Sequence, residues 1–487
     1  MAYQGSPLWM KVYVGHLIKA ILSKGKFMKS VFCLIEYISL FLLLTLLLFT
    51  GCRRDDHSIS GALPAVDVSV SPPVNAADPC TIALTPHTGT DRIDQQIIHL
   101  QQKARCAEEP WRTAYLERLG WAFVTKARIS FDPGFYKLAE QCALCVESKE
   151  PHSAEAMLLR GHVLHNLHQF KEGEALAREL VAQRGLSFDH GLLGDLLMEQ
   201  GKLDEAIDAY QKMMDQKPGP QAYSRTAHVR WLKGDLQGAI AVMEMATGAS
   251  SSRDHESAAW AYVRLALYEM QAGNISKASD IIETALALQP DYPPALLARG
   301  RMLLAKGKNT EAIVPLTRAT QLNPLPEHQW GLIEALRTAG HRDKAGQVEK
   351  QLMQRGASDD PRTFALYLAT IGHDTKMALL LSEEELKVRA DIFTLDTLAW
   401  ALRAVGRIQE ARSFSERALA EGTQDARLFY HAGVIAAAAG QHKEAEVWFE
   451  KTTAIQHMLL PSEREHLFKE TAALQAQKSI LTSGQSN

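Results

Sequence analysis

Three histidines, His162, His165 and His168, follow one another at i, i+3 and i+6, and Asp195 and His228 stand 33 and 66 residues after His162. Consecutive members of the triplet are neighbours on a helix, although all three cannot share one face. Together with Asp195 and His228 they could assemble a zinc or copper site, but the spacing matches no dedicated metal motif. Cys142-Ala-Leu-Cys145 is a C-x-x-C with no histidine after it, which removes covalent haem attachment. A redox C-x-x-C needs a strand before it and a helix starting at it, whereas QCALCVES reads as helix interior. No phosphate-cradling glycine loop, no G-x-S-x-G and no H-E-x-x-H is present. The sequence therefore predicts no catalytic residue, no cofactor and no enzyme.

The elements that position these residues are set by a repeat. Glycine recurs at 201, 234, 273, 307, 340, 372, 406 and 440, mostly 32 to 34 residues apart, and alanine follows five residues later at Ala206, Ala239, Ala278, Ala312, Ala345, Ala411 and Ala445. Each pair lies between two apolar stretches of helical spacing, so each period reads as one helix-turn-helix hairpin. Glycine ends the first helix in a left-handed conformation, and alanine lets two helices approach closely. The chain has 487 residues, 53 Lys+Arg against 56 Asp+Glu, and 7% aromatic residues. A stack of hairpins needs no single large core, and the balanced charge offers no basic field for nucleic acid.

Leu193, Gly194, Leu197, Gly201, Leu203, Ala206, Tyr210 and Pro218 stand at the signature spacings of the tetratricopeptide repeat, and Gly300, Gly307, Ala312, Ala319 and Pro324 repeat the scheme. The chain resembles that family from about residue 114 to 460. The resemblance implies an all-α, right-handed solenoid of about ten hairpins. The first hairpin carries about seven extra residues around Lys126–Phe135 between its helices. The eighth, from Arg362 to Ala390, has Met377 where alanine is usual. Ser462-Glu-Arg-Glu465 predicts a capping box for a final helix that shields the stack. Arg118-Leu-Gly-Trp-Ala-Phe and Thr394-Leu-Asp-Thr-Leu-Ala-Trp are also similar to uncharacterised bacterial envelope repeat proteins.

In this repeat family the first helix of each hairpin lines a concave groove. The matching positions are held by Trp121, His162, His165, Asn166, Asp195, Met198, Glu199, His228 and Trp231 in the N-terminal half. In the C-terminal half they hold Leu297, Leu304, Trp330, Glu334, Arg337, Trp400, Arg403 and Tyr430. The polar and aromatic N-terminal set suits a protein or peptide, with the His-rich metal or small-ligand reading as the alternative. Arg230 occupies a slot where Tyr or Leu is usual, and Asp195 or Glu199 is its expected partner.

Ser39–Thr50 is an uncharged apolar block preceded by Lys24, Lys26 and Lys29 and followed by Gly51-Cys52. This resembles a bacterial lipoprotein signal, which implies lipidation at Cys52. Phe49 stands where that signal usually has leucine. An uncleaved helix over residues 31–51 is the other reading, and it would carry Glu36 into the bilayer. A start at Met28 would give a compact signal. Both readings put the repeats outside the cytoplasm, and Arg53 after the cysteine implies outer-membrane sorting. The sequence thus divides into an anchor segment (1–52), a Ser/Pro/Ala-rich disordered tether (53–90), an N-terminal helical region with the inserted repeat (91–153), the solenoid (154–460), and a capping helix and tail (461–487). Such a tether would reach a few tens of Å, roughly 5–6 Å × √n. With Cys33 removed and Cys52 lipidated, Cys80, Cys106, Cys142 and Cys145 allow three full pairings, and Cys106 joined to one member of the C-x-x-C would staple the N-terminal hairpin.

Overall fold

A computed structural model describes residues 78–251 and 253–484. Residues 78–101 and 113–484 lie in one compact unit, and the described part of the other is 102–112. The segment expected to act as an anchor, with Cys52, lies outside the described residues. Among those residues no helix is long and apolar enough to cross a membrane.

The described residues form twenty-three α-helices and no strand. Two precede the repeats, α1 (Pro79–Ala83) and α2 (Arg92–Cys106). Ten hairpins follow: α3 (Trp111–Ser130) with α4 (Gly134–Glu147), α5 (Ala154–Asn166) with α6 (Phe170–Gln183), α7 (Ser187–Glu199) with α8 (Leu203–Gln216), α9 (Pro220–Leu232) with α10 (Leu236–Gly248), and α11 (His255–Gln271) with α12 (Ile275–Leu288). Then come α13 (Pro293–Ala305) with α14 (Asn309–Leu322), α15 (Pro326–Thr338) with α16 (Arg342–Asp359), α17 (Pro361–Ile371) with α18 (Thr375–Val388), α19 (Ile392–Ala404) with α20 (Ile408–Leu419), and α21 (Ala426–Ala438) with α22 (His442–Ala454). A 3₁₀ turn, Gln456–Met458, leads into α23 (Pro461–Gly484).

Local chemistry explains the hairpins. Proline opens α9, α13, α15, α17 and α23, where a missing N–H costs nothing. Asp235, Asp254, Asp360, Asp391 and Asp425 cap helix N-termini through their side chains. The alanines five residues after the turn glycines are fully buried, as close helix approach requires. In the eighth hairpin the alanine is displaced rather than lost. Ala378 is buried and Met377 is exposed, because an extra turn residue, Asp374 at φ 44°, precedes α18.

Three other expectations are corrected. The extra residues of the first hairpin extend α3 itself, which runs to Ser130 and places Arg128 against Glu256 of α11. The tether does not include residues 78–90: α1 forms there, Cys80 bonds Cys145 of α4, and His87 pairs with Asp94 at 2.8 Å. That disulfide leaves Cys106 and Cys142 as thiols, so Cys106 is not the staple.

The feature that organises the unit is contact between successive superhelical turns. Thr423 Oγ donates to Leu232 O at 2.5 Å and Gln424 Nε2 to Gly234 O at 3.2 Å, across 191 and 190 residues. His457 Nε2 donates to Met270 O at 2.6 Å across 187 residues, and Arg389 pairs with Glu199 across 190. Lys233 adds a 2.6 Å pair to Glu421. This near-constant offset means that the later hairpins sit on the C-terminal ends of the earlier inner helices and bond carbonyl oxygens there, that of Met270 as a second bond beside the one from the Gly273 amide. Gly201 and Gly234 therefore do two jobs. Both have positive φ, 74° and 81°, and a Cβ would lie 2.4 Å from Ala390 O and 2.6 Å from Gly422 O respectively. Gly273 has the same φ, 82°, with open space around it.

Two outcomes test this description. Gly273→Ala should cost about 1–2 kcal/mol from backbone strain alone, while Gly234→Ala should cost clearly more in the same urea denaturation; equal losses would contradict the inter-turn contact. Non-reducing peptide mapping should recover a Cys80–Cys145 peptide pair, and Cys80→Ser should lower stability by about 2–4 kcal/mol.

Candidate functional site

The inner helices α9 to α21 surround a cavity of about 530 Å³. A second cavity of about 580 Å³ lies at the seam where α7 and α9 meet the start of α19, and shares His228, Arg362 and Phe393 with the first. Each inner helix contributes through the face that its hairpin partner does not cover.

The groove residues expected from the sequence separate into three groups. Trp121 is partly exposed and its ring lies 5.3 Å from that of His162. Asn166 Nδ2 is 3.3 Å from His162 Nε2 and donates to His162 O at 2.8 Å, while His165 packs edge-on against Phe170. Burial, and then the neighbouring His165, lower the His162 pKa to about 3. Asp195 and Glu199 are engaged within the fold. Arg225 grips Asp195 with Nε at 2.7 Å and Nη2 at 2.5 Å, Tyr210 adds its hydroxyl at 2.9 Å, and Glu199 takes Arg389. Burial alone would raise the Asp195 pKa, but Arg225 outweighs it and holds the carboxyl below its usual value. His228 and Trp231 line the first cavity, and Glu199 and His228 line the second.

Arg230, expected to reach Asp195 or Glu199, instead pairs with Asp235 at 2.7 Å, five residues along its own hairpin. Ser462 does not cap its own helix. Glu463 reaches back to Leu460 N at 2.8 Å, and Ser462 gives both its N–H and its hydroxyl to Glu334. In the C-terminal set Leu297 and Trp330 line the cavity, Trp400 and Tyr430 are buried in the wall, and Arg337 pairs with Glu349.

The sequence reading missed Trp260, Arg264 and Gln271 of α11. They lie at i, i+4 and i+11, one face of a helix, and the Gly273/Ala278 pair marks the end of that helix. The interval from Gly234 to Gly273 is longer than the others, which obscures the register. Arg264 lies over the rings of Trp231 and Tyr268, at 5.7 and 5.2 Å, and gives Nη2 to His228 Nδ1 at 2.9 Å and to the Tyr268 hydroxyl at 3.1 Å. Trp231 Nε1 donates to Gln271 Oε1 at 2.7 Å, and the Trp231 ring stacks on Phe393 of α19 at 5.7 Å. Burial, then the Arg264 charge, lower the His228 pKa to about 3, so this imidazole is neutral near pH 7 and accepts from Arg264.

Most charges around the cavity are matched. Arg301 pairs with Glu327 at 3.0 Å, Arg362 with Asp391 at 3.1 Å and Arg427 with Glu463 at 2.7 Å. Asp396 holds His431 at 2.8 Å, and Asp425 accepts the amides of Arg427 and Leu428. Arg264 has no carboxylate partner among the described residues. The alternative metal reading finds little support in this arrangement. Asp195 is occupied by a guanidinium, His228 faces another, and no group of three His, Cys, Asp or Glu among the described residues is placed to hold a metal.

With the hairpins and their inner face described, comparison with known proteins is decisive for the repeat type. Residues 192–254, 263–325 and 397–456 match the tetratricopeptide repeat family. The hairpins in these three stretches are tetratricopeptide repeats. Similar solved structures include a tetratricopeptide repeat protein from Parabacteroides merdae ATCC 43184, at 14% identity over 57% of this chain and 98% of that one, with a TM-score of 0.37. They also include Pseudomonas aeruginosa pilF, at 14% identity over 41% and 90% with a TM-score of 0.36, and yeast Tom70, at 14% over 80% and 97% with a TM-score of 0.33. No curated protein sequence matches the chain.

The depressed histidines carry a pH dependence. Their folded pKa values, about 3 for His162 and His228 and about 4 for His168, lie below the unfolded value near 6.5. The unfolded state then binds more protons between these limits, so stability is full above about pH 6.5 and falls as the pH drops toward 4. His228→Gln should make that fall shallower in a series of denaturant melts; an unchanged slope would show that His228 is not buried neutral.

Proposed function

We propose that this protein is a non-enzymatic scaffold of the bacterial cell envelope, tethered to the membrane through Cys52, that holds a protein or peptide segment in the cavity of its tetratricopeptide solenoid. The observation that carries the reading is the cavity itself. Seven successive inner helices surround it, and it combines aromatic area from Trp231, Trp260 and Phe393 with a cation, Arg264, that has no carboxylate partner among the described residues. Aromatic anchors beside a partly desolvated arginine are the composition of an energetic hot spot. Binding is the activity this lining supports.

The anchoring half of the proposal rests on the sequence resemblance at Phe49-Thr50-Gly51-Cys52. An outer-membrane, periplasm-facing position follows from Arg53 in the same resemblance. A lipidated cysteine and a polar spacer would hold the solenoid within reach of membrane-bound partners.

A photo-crosslinker at Trp260, on the cavity rim, should capture a discrete protein in native membranes, while one at Val314, which is 73% exposed on an outer helix, should not. Equal capture from both positions would sink the cavity reading. Labelled palmitate should enter the wild-type chain and not Cys52→Ala; label retained in the variant would reject Cys52 as the lipidated residue.

A further inference from the structure

We propose that the segment held in the cavity presents a lysine or arginine side chain, whose cation is seated against Asp396 and Asp425. This names the chemistry of the ligand in the cavity-binding reading above and rests on it.

The first argument is a pair of carboxylates that the fold brings together without a cation. Asp396 of α19 and Asp425 at the start of α21 both line the main cavity. Oδ2 of Asp396 bonds His431 Nδ1 at 2.8 Å, and its Oδ1 makes no hydrogen bond among the described residues. Asp425 Oδ1 accepts the amides of Arg427 and Leu428 at 2.8 and 3.2 Å, which caps α21, while its Oδ2 likewise makes none. Neither carboxylate pairs with a lysine or arginine among the described residues, since the Arg427 guanidinium is taken by Glu463 and lies over the Trp330 ring. Burial raises the Asp425 pKa against the lowering by Arg427 and the two amides, and the nearby Asp396 charge raises it further. Two carboxylates withdrawn from water repel each other until a cation joins them.

The charge balance of the lining has the same sign. Four guanidiniums line the cavity, those of Arg264, Arg301, Arg362 and Arg427, with the carboxylates of Glu327, Asp396 and Asp425. Arg301 pairs with Glu327, while Arg362 and Arg427 pair with Asp391 and Glu463 from outside the lining. Five carboxylates thus face four guanidiniums, with histidines counted as neutral, and one monovalent cation closes the difference. Arg264 is held on Trp231 and Tyr268 and bonded to His228 and Tyr268, and it makes no ion pair with Asp396 or Asp425.

A separate observation points to a ligand that is a peptide and not a simple amine. Gln271, in the same lining, is 5% exposed; its carbonyl accepts Trp231 Nε1, which sets the orientation of the amide, and its Nε2 has no partner. A buried donor without an acceptor is unfavourable until a ligand supplies one. A polyamine has no acceptor to offer, whereas a peptide brings backbone carbonyls on the same chain as its basic side chain. Among the described residues no group of three His, Cys, Asp or Glu is placed to hold a metal cation instead. Leu366, Phe393, Leu428 and Leu460 complete the lining and give the aliphatic stem of a lysine or arginine an apolar surface.

The test exposes the immobilised full-length protein to random hexapeptides that are N-acetylated and C-amidated, so that only side chains carry charge. Retained peptides are read by mass spectrometry. Lysine or arginine should be enriched about tenfold or more over the input, the range expected for one charge-assisted contact. Asp425→Asn removes the charge and keeps the helix cap, because asparagine caps as well as aspartate; it should erase the enrichment with an unchanged thermal midpoint. Asp396→Asn should weaken it. Enrichment undiminished in Asp425→Asn would overturn the assignment to this pair. Retention with no basic preference would overturn the cation assignment and leave the cavity reading standing, and retention of no peptide by the wild-type protein would overturn both. Displacement of bound peptides by n-butylamine at equal potency would assign the site to small amines rather than to a side chain of a segment, and so overturn the proposal as stated.

Discussion

The structure depends on the contact between hairpins about 190 residues apart. A tetratricopeptide solenoid in which each hairpin touches only its neighbours leaves every inner helix with orphan carbonyls at its C-terminus. Here Thr423 and Gln424 bond the carbonyls of Leu232 and Gly234, while His457 and Arg464 add second bonds to those of Met270 and Leu304, which already accept the Gly273 and Gly307 amides. The contact also fixes where the inner faces point. Because Phe393 of α19 is brought onto Trp231 of α9, the concave surface is a bounded cavity and not an open trough.

The same closure sorts the charges. Glu199 would be a free groove carboxylate in an open solenoid, yet Arg389 arrives from the following turn and binds it. Asp195 is taken by Arg225 from the adjacent hairpin. Glu334 is buried by α23, and the cost of its burial, seen in a raised pKa, is offset by the two hydrogen bonds from Ser462. The cation that remains without a counter-ion among the described residues of the cavity lining is Arg264, held by aromatic faces and two neutral acceptors. Ion pairs buried in this way define register more than they add stability, since desolvation opposes their attraction.

The repeat was legible because its signal is local. Gly201 and Ala206, with their counterparts down the chain, report a left-handed turn and a close helix approach, and both requirements act within one hairpin. The candidate site was legible only in part. His228 and Trp231 were found because their hairpin keeps the regular register, whereas Trp260, Arg264 and Gln271 were hidden by the stretched interval before Gly273. Asp195 and Glu199 were read as binding groups because their partners, Arg225 and Arg389, lie 30 and 190 residues away. No pattern within one hairpin announces a partner at that distance.

By itself the sequence determined the all-helical class, the number of hairpins, their inner and outer faces and the absence of catalytic motifs, because glycine conformation, alanine size and apolar periodicity act over a few residues. Tertiary structure alone decided that Cys80 meets Cys145, that the extra residues of the first hairpin lengthen α3, that Ser462 serves Glu334, and that the groove closes into a cavity where Arg264 meets His228 and Tyr268. Those outcomes depend on the small rotation between neighbouring hairpins. Summed over more than five of them, that rotation sets which distant surfaces touch, and no single repeat encodes the sum.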